Sequence, residues 1–163
     1  MPAALTPRVV FILIIAFIAA CYGYALKTQY VDGLEPCPLC MTQRGFYLLT
    51  ALLALIGALH GGGRRIYGAL VTLAALGGAA VAGRQVWLQH LPKDQVPACG
   101  PSLEYMLETL PMGDVLAHMF KGDGNCAVVD WSLLGLSMAE WSLLCFLALA
   151  AAGLWQTFRK YPR

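Results

Sequence analysis

Charge is what this sequence has least of. Acidic and basic side chains make up 12% of 163 residues, about half the share of a soluble domain, while 59% of the chain is hydrophobic. A globule of this size cannot bury so much apolar surface and still show water a charged skin, so an ordinary soluble enzyme is excluded. Intrinsic disorder is excluded as well, because it needs the opposite composition. No long basic stripe exists, which removes nucleic acid as a partner. The chain has three histidines, and no motif for serine–histidine catalysis, phosphate binding or carboxylate-pair hydrolysis is recognisable. The solvent left for most of this chain is lipid.

Four stretches carry no charged side chain: Val9–Leu26 (18 residues), Gly45–His60 (16), Ile66–Gly83 (18) and Trp141–Phe158 (18). At the helical rise these reach roughly 24–27 Å, close to the hydrocarbon thickness once flanking residues join. Backbone polar groups in lipid must pair internally, so the spans are expected to be helices, over about residues 9–26, 42–60, 66–84 and 141–158. The expected fold is an all-α integral membrane protein, a single four-helix bundle over residues 1–163. Completing the second crossing places a cation, Arg44, at its very end.

The charges that do exist are segregated. Arg8, then Arg64 and Arg65, then Arg159, Lys160 and Arg163 fall in the N-terminal segment, the second connection and the tail. The positive-inside rule makes that side cytoplasmic, with both termini inside. All nine acids fall in the other connections or at their edges. The outer loops are then a short one, about 27–40, and a long one, about 89–139. Ile18-Ala19-Ala20-Cys21 resembles a lipoprotein processing site, but the apolar run continues through Tyr22, Tyr24 and Leu26, so the segment is expected to remain as a helix. In the long loop, Pro101–Leu110 and Asp114–Phe120 have partly helical patterning. Their apolar residues, Leu107, Leu110, Val115, Leu116, Met119 and Phe120, fit either a membrane-surface face or packing within a loop subdomain. Gly122, Gly124 and Asn125 mark a flexible stretch before Cys126.

Six cysteines divide by depth. Cys21 and Cys145 fall inside spans, where a thiol commonly serves as a small apolar residue. Cys37 and Cys40 fall on the short outer loop, Cys99 and Cys126 on the long one, and none on the cytoplasmic connections. Two pairs are the natural expectation outside the cytoplasm, and local spacing favours Cys37–Cys40. A Cys-x-x-Cys bridge closes too few residues to restrain the unfolded chain much, so its usual purpose is reactivity. Glu35-Pro36-Cys37-Pro38 reads as the start of the second helix, with Cys37 as cap and Pro38 in the first helical position. Cys40 then sits in the first turn, where the positive helix end favours the thiolate needed for exchange.

Arg44, four residues on, projects from the same face one turn deeper. It can stabilise a Cys40 thiolate or an electron-rich oxygen on a small molecule, or simply snorkel to head groups; the adjacent dithiol favours the first. Cys99 and Cys126, with 26 residues between them, could form a staple worth about 3 kcal/mol. Their Gly- and Pro-rich flanks suggest instead exposed, mobile cysteines open to attack by another protein's thiolate. A zinc site competes for the four cysteines, but compact clusters are wanting and His60, His90 and His118 do not repair the spacing, so no metal is expected.

Three segments together resemble the DsbB family of bacterial inner-membrane proteins: Cys37-Pro38-Leu39-Cys40-Met41-Thr42-Gln43-Arg44, then Gly83-Arg84-Gln85-Val86-Trp87-Leu88-Gln89, and Asp130 through Met138 before the last helix. The likeness covers essentially the whole chain. It implies a thiol:quinone oxidoreductase, multi-pass in the inner membrane of a Gram-negative bacterium with its redox cysteines on the periplasmic side. It would reoxidise DsbA, the soluble periplasmic dithiol oxidase, and pass electrons to the membrane pool of ubiquinone or menaquinone. The resemblance implies disulfides Cys37–Cys40 and Cys99–Cys126, attack of DsbA on Cys99, reaction of Cys126 with Cys37, and a Cys40 thiolate facing quinone held or polarised by Arg44. Gln85 and Gln89 are candidate polar neighbours of the quinone, helix-end capping being the alternative. Some members have Val where Pro38 stands, and a difference in the potential of Cys37–Cys40 from theirs is expected to follow. DsbA is itself a strong oxidant, at about −120 mV, so the quinone has to supply the downhill drive.

Two rivals make different demands. A vitamin K epoxide reductase type protein carries its loop cysteines before the Cys-x-x-Cys, the reverse of the order here. A non-catalytic scaffold would use its disulfides only to brace the outer loops.

Overall fold

The structure is a computed structural model and describes residues 6–101 and 103–159; Lys160 and Arg163 of the expected cytoplasmic tail lie outside the described residues. Four long helices carry the chain: α1 (Pro7–Tyr30), α2 (Pro38–His60), α3 (Arg64–Gln89) and, after the long loop, α6 (Met138–Phe158). Each is long and apolar enough to cross a bilayer. The protein is a four-helix membrane protein, and its helices run past the charge-free stretches because residues at a span's ends can reach the head groups. Between α3 and α6 lie two short helices, α4 (Leu103–Thr109) and α5 (Met112–Lys121), a 3-10 turn (Gly124–Ala127), and a small hairpin of β1 (Ser132–Leu133) and β2 (Leu136–Ser137).

Helix α3 is the bundle's centre: half of its spanning window is buried, against 22% for α1. It packs closely on α6 because small residues face one another. A Cβ on Gly68 would lie 2.6 Å from Thr157 Oγ1, and one on Gly153 the same distance from Thr72 Oγ1. Such small-residue seams let backbones approach where lipid supplies no hydrophobic drive to pack helices together. The core above this seam contains Phe11 and Ile14 of α1, Tyr47 of α2, Ala75 and Ala79 of α3, and Phe146 of α6. Tyr47 and Phe146 stack with ring centroids 4.1 Å apart. Outward-facing Leu13, Leu52, Leu73 and Leu147 are exposed, as residues solvated by acyl chains should be.

Basic groups gather at one end. A Cβ on Gly61 would lie 2.8 Å from the Arg8 guanidinium, and Arg64 donates to the Arg159 carbonyl at 3.4 Å. The four loop cysteines belong to the opposite end. There the long loop folds back over α2 and α3. Thr42 donates to the Met119 carbonyl at 3.0 Å, Phe46 meets Phe120 edge-to-face at 6.4 Å, and Arg84 donates to the Lys121 carbonyl at 3.3 Å. Of the apolar loop residues, Val115 is buried, while Leu107, Leu116 and Phe120 remain exposed.

The stretch before Cys126 differs from the sequence expectation. It is an ordered 3-10 turn in which buried Asp123 collects the backbone N–H groups of Asn125 (3.0 Å) and Gly100 (3.2 Å). That carboxylate ties the two loop segments carrying Cys99 and Cys126 together. The hairpin was not expected from the sequence either: its turn residues Leu134 and Gly135 have φ of 54° and 80°, and leucine is a poor signal for a turn that needs positive φ.

Candidate functional site

Helix α2 begins where the dithiol is. Cys37 is its N-cap, and its sulfur accepts the Cys40 backbone N–H at 3.4 Å, with Pro38 in the first helical turn. Pro38 has no N–H to lose there, and its fixed φ suits the helix start. The turn brings the Cys37 and Cys40 sulfurs to 2.9 Å. All six cysteines stand as thiols. The Cys37 side chain is buried with Leu39, Val81, Leu88 and Cys126, while Cys40 is half-buried beside that cluster.

Gln85 of α3 holds this pair. Its amide nitrogen lies 3.4 Å from the Cys37 sulfur and 3.3 Å from the Cys40 sulfur. Its carbonyl oxygen accepts from the Gln43 amide at 2.6 Å. Both glutamines are buried, so each satisfies the other's polar group while one N–H set remains for sulfur. Gln43 was not singled out from the sequence as a site residue. Its signal was a second polar side chain, three positions after Cys40, inside an otherwise apolar helix. Gln89, one turn beyond Gln85, accepts from the Ser137 hydroxyl at 2.8 Å. Ser137 caps α6 in a reciprocal box with Glu140, so the bond of Gln89 is a cap contact, although its side chain also lines the cavity described below.

The loop pair is asymmetric. Cys99 is exposed, as its flanks suggest, but Cys126 is fully buried, contrary to expectation. The ordered turn explains this: Asp123 caps it, the Cys126 N–H bonds the Asp123 carbonyl at 3.0 Å, and the sulfur is carried down onto α2 and α3. There Cys126 packs in one cluster with Cys37, whose sulfur donates to that of Cys40. Donation from Cys37 holds the Cys126 thiol below its ordinary range, against the opposing effect of burial. Cys37 is pushed up, first by Cys126 and then by Cys40. Cys99 stays close: a Cβ on Gly124 would lie 3.2 Å from its sulfur.

On the other side of Cys40 opens a cavity of about 430 Å³, walled by α1, α2, α6, the outer end of α3 and the segment after the 3-10 turn. Its lining is chiefly apolar, with a few converging polar groups: Gln43, Arg44, Gln85 and Gln89. Arg44 does not bond the Cys40 sulfur. Its guanidinium donates to the Gln29 side chain and, at 3.1 Å, to the Ala25 carbonyl, both on α1. The cation is thus held at the cavity wall by the neighbouring helix rather than snorkelling away. Size, apolar walls and a few fixed polar groups suit a flat, largely apolar carbonyl compound. Among the described residues no group of three or more His, Cys, Asp and Glu side chains converges as metal ligands would.

The family described as Disulfide bond formation protein DsbB matches residues 7–156. Among curated relatives, Disulfide bond formation protein B of Hahella chejuensis is 51% identical over 154 residues, 93% of this chain and 93% of that protein. Disulfide bond formation protein B 1 of Pseudomonas aeruginosa is 48% identical over 163 residues, covering 98% and 99%. Disulfide bond formation protein B of Methylococcus capsulatus is 51% identical over 152 residues, covering 91% and 93%.

Proposed function

The chain belongs to the DsbB family of disulfide bond formation proteins, and from that premise we propose how this membrane oxidoreductase works: it takes electrons from a DsbA-like periplasmic dithiol oxidase through Cys99 and Cys126, passes them to Cys37 and Cys40, and delivers them to a membrane quinone. The observation that carries this reading is the position of the Cys37–Cys40 pair, with Cys126 packed on one side and an apolar cavity bearing Arg44 on the other. In the proposed resting state the pairs are disulfides Cys37–Cys40 and Cys99–Cys126, at the periplasmic face of the inner membrane, with the Arg8–Arg64–Arg159 end in the cytoplasm.

Each transfer is a thiol–disulfide exchange. A thiolate of the reduced partner attacks exposed Cys99; the Cys99–Cys126 bond breaks and Cys126 leaves as thiolate. Cys126 is already packed against Cys37, placed to attack it. It attacks Cys37, the Cys37–Cys40 bond breaks, and Cys40 becomes the thiolate at the cavity wall. Gln85, donating to both sulfurs, stabilises the charge that moves between them. A quinone, ubiquinone or menaquinone, supplies a two-electron, two-proton acceptor. Arg44 would face its carbonyl oxygen, and the apolar walls would keep water from the thiolate. The partner's second thiol then resolves the mixed disulfide and frees Cys99 as thiolate; Cys99 attacks Cys126, the Cys126–Cys37 bond breaks, and Cys37 rejoins Cys40 as the electron pair of these two sulfurs passes to the acceptor.

The relay joins two phases that cannot meet directly: a water-soluble donor cannot reach a lipid-dissolved acceptor. Anaerobic mixing of the purified chain with a reduced DsbA-like protein and a quinone tests it. One quinol should form for each donor dithiol lost, and Cys40→Ser should stop both. Donor oxidation that continues without quinone consumption, or is untouched by Cys40→Ser, would overturn the reading; no donor oxidation by the unaltered chain would favour a bracing scaffold.

A further inference from the structure

Two cysteines remain outside the relay, and the fold brings them together. Cys21 on α1 and Cys145 on α6 are 124 positions apart in sequence, yet the Cys21 thiol donates to the Cys145 sulfur at 3.7 Å. Both are half-buried, and both line the cavity that Cys40 and Arg44 also line. Measured along their helices they sit roughly 10–14 Å below the outer ends of α6 and α1, at membrane depth. The Tyr47 hydroxyl, which meets the Ser142 hydroxyl at 3.3 Å, lines the same cavity. Two thiols used merely as small apolar filling have no reason to meet one another beside a cavity. A disulfide needs the sulfurs to close by about 1.7 Å, within the range of side-chain rotation.

We propose that Cys21 and Cys145 are a third redox site, a membrane-embedded dithiol that a quinone in the cavity oxidises to a disulfide joining α1 to α6. Two S–H bonds break and one S–S bond forms; both electrons and both protons pass to the quinone, which leaves as quinol. This rests on the reading of the cavity as the quinone site. The bridge would pin two walls of that cavity to one another, so the site records an excess of oxidised quinone over thiol donor.

The test uses the full chain with Cys37, Cys40, Cys99 and Cys126 all changed to Ser, reduced and then mixed anaerobically with a short-tailed ubiquinone analogue. Expected are loss of both maleimide-reactive thiols, a mass lower by two hydrogen atoms, and one quinol per chain. Mass spectrometry of a non-reducing digest should join the Cys21 peptide to the Cys145 peptide. The same cross-link is sought in the unaltered chain, so a variant that fails to insert does not decide the matter. In parallel, the unaltered chain receives a reduced dithiol donor and an excess of the analogue that outlasts it. If it consumes quinone while Cys21 and Cys145 stay fully labelled, the third site is overturned and the relay stands. If neither chain reduces the analogue, the cavity is not a quinone site and both ideas fall.

Discussion

The two outer dithiols differ in what holds them. Cys37 and Cys40 are fixed by a helix start, a proline and the buried Gln85–Gln43 pair. Cys99 and Cys126 hang on a loop, yet only one of them behaves like a loop residue: Cys99 is exposed, whereas Cys126 is carried onto the bundle against Cys37. The pair on the loop therefore has a wet end and a docked end, and the pair on the helix has a docked side and a cavity side. Direction follows from that arrangement, since each sulfur has a distinct neighbour to receive from or hand to. A symmetric pair of exposed cysteines would have needed a large loop movement for every turnover.

Breaking the wet end should have the largest effect. Cys99→Ala is expected to abolish the mixed disulfide with a DsbA-like partner, read on non-reducing gels. A normal adduct yield would put the point of attack elsewhere. On the cavity side, Arg44→Ala should raise the apparent KM for quinone about tenfold, the scale of a lost charge-assisted contact, and leave adduct formation intact. Failure of partner exchange with unaltered quinone kinetics would assign Arg44 to the wrong dithiol. Smallest is the brace between them. Gln85→Ala removes a donor to two sulfurs and should slow electron passage to quinone roughly fivefold, about 1 kcal/mol. Gln85→Glu, which replaces a donor with an anion, should be slower still; equal rates for the two would reduce Gln85 to packing.

Much of this architecture could be read from residue order because lipid is an unforgiving solvent. Four charge-free runs admit few structures, and Pro38 after Cys37 marks a helix start with the cap identified. What escaped was set by contacts distant in sequence. Gly122-Asp123-Gly124-Asn125 has the composition of a flexible stretch, but Asp123 finds the Gly100 N–H across the loop and orders it. Gln43 reads as an isolated polar residue until Gln85, 42 positions away, supplies its partner. Cys21 and Cys145 look like apolar filling for the same reason: nothing local says that they meet. The bonding of Arg44 to Gln29 and Ala25 likewise depends on how α1 lies on α2, which no helical pattern specifies.

The joint between the two dithiols is the step on which everything else depends, and Cys126→Ser isolates it. With this variant no Cys99–Cys126 disulfide can form, so the DsbA-like protein should stay reduced while the quinone absorbance stays that of the oxidised form. Quinol appearing at the rate of the unaltered chain would mean that electrons reach the cavity without crossing from Cys126 to Cys37.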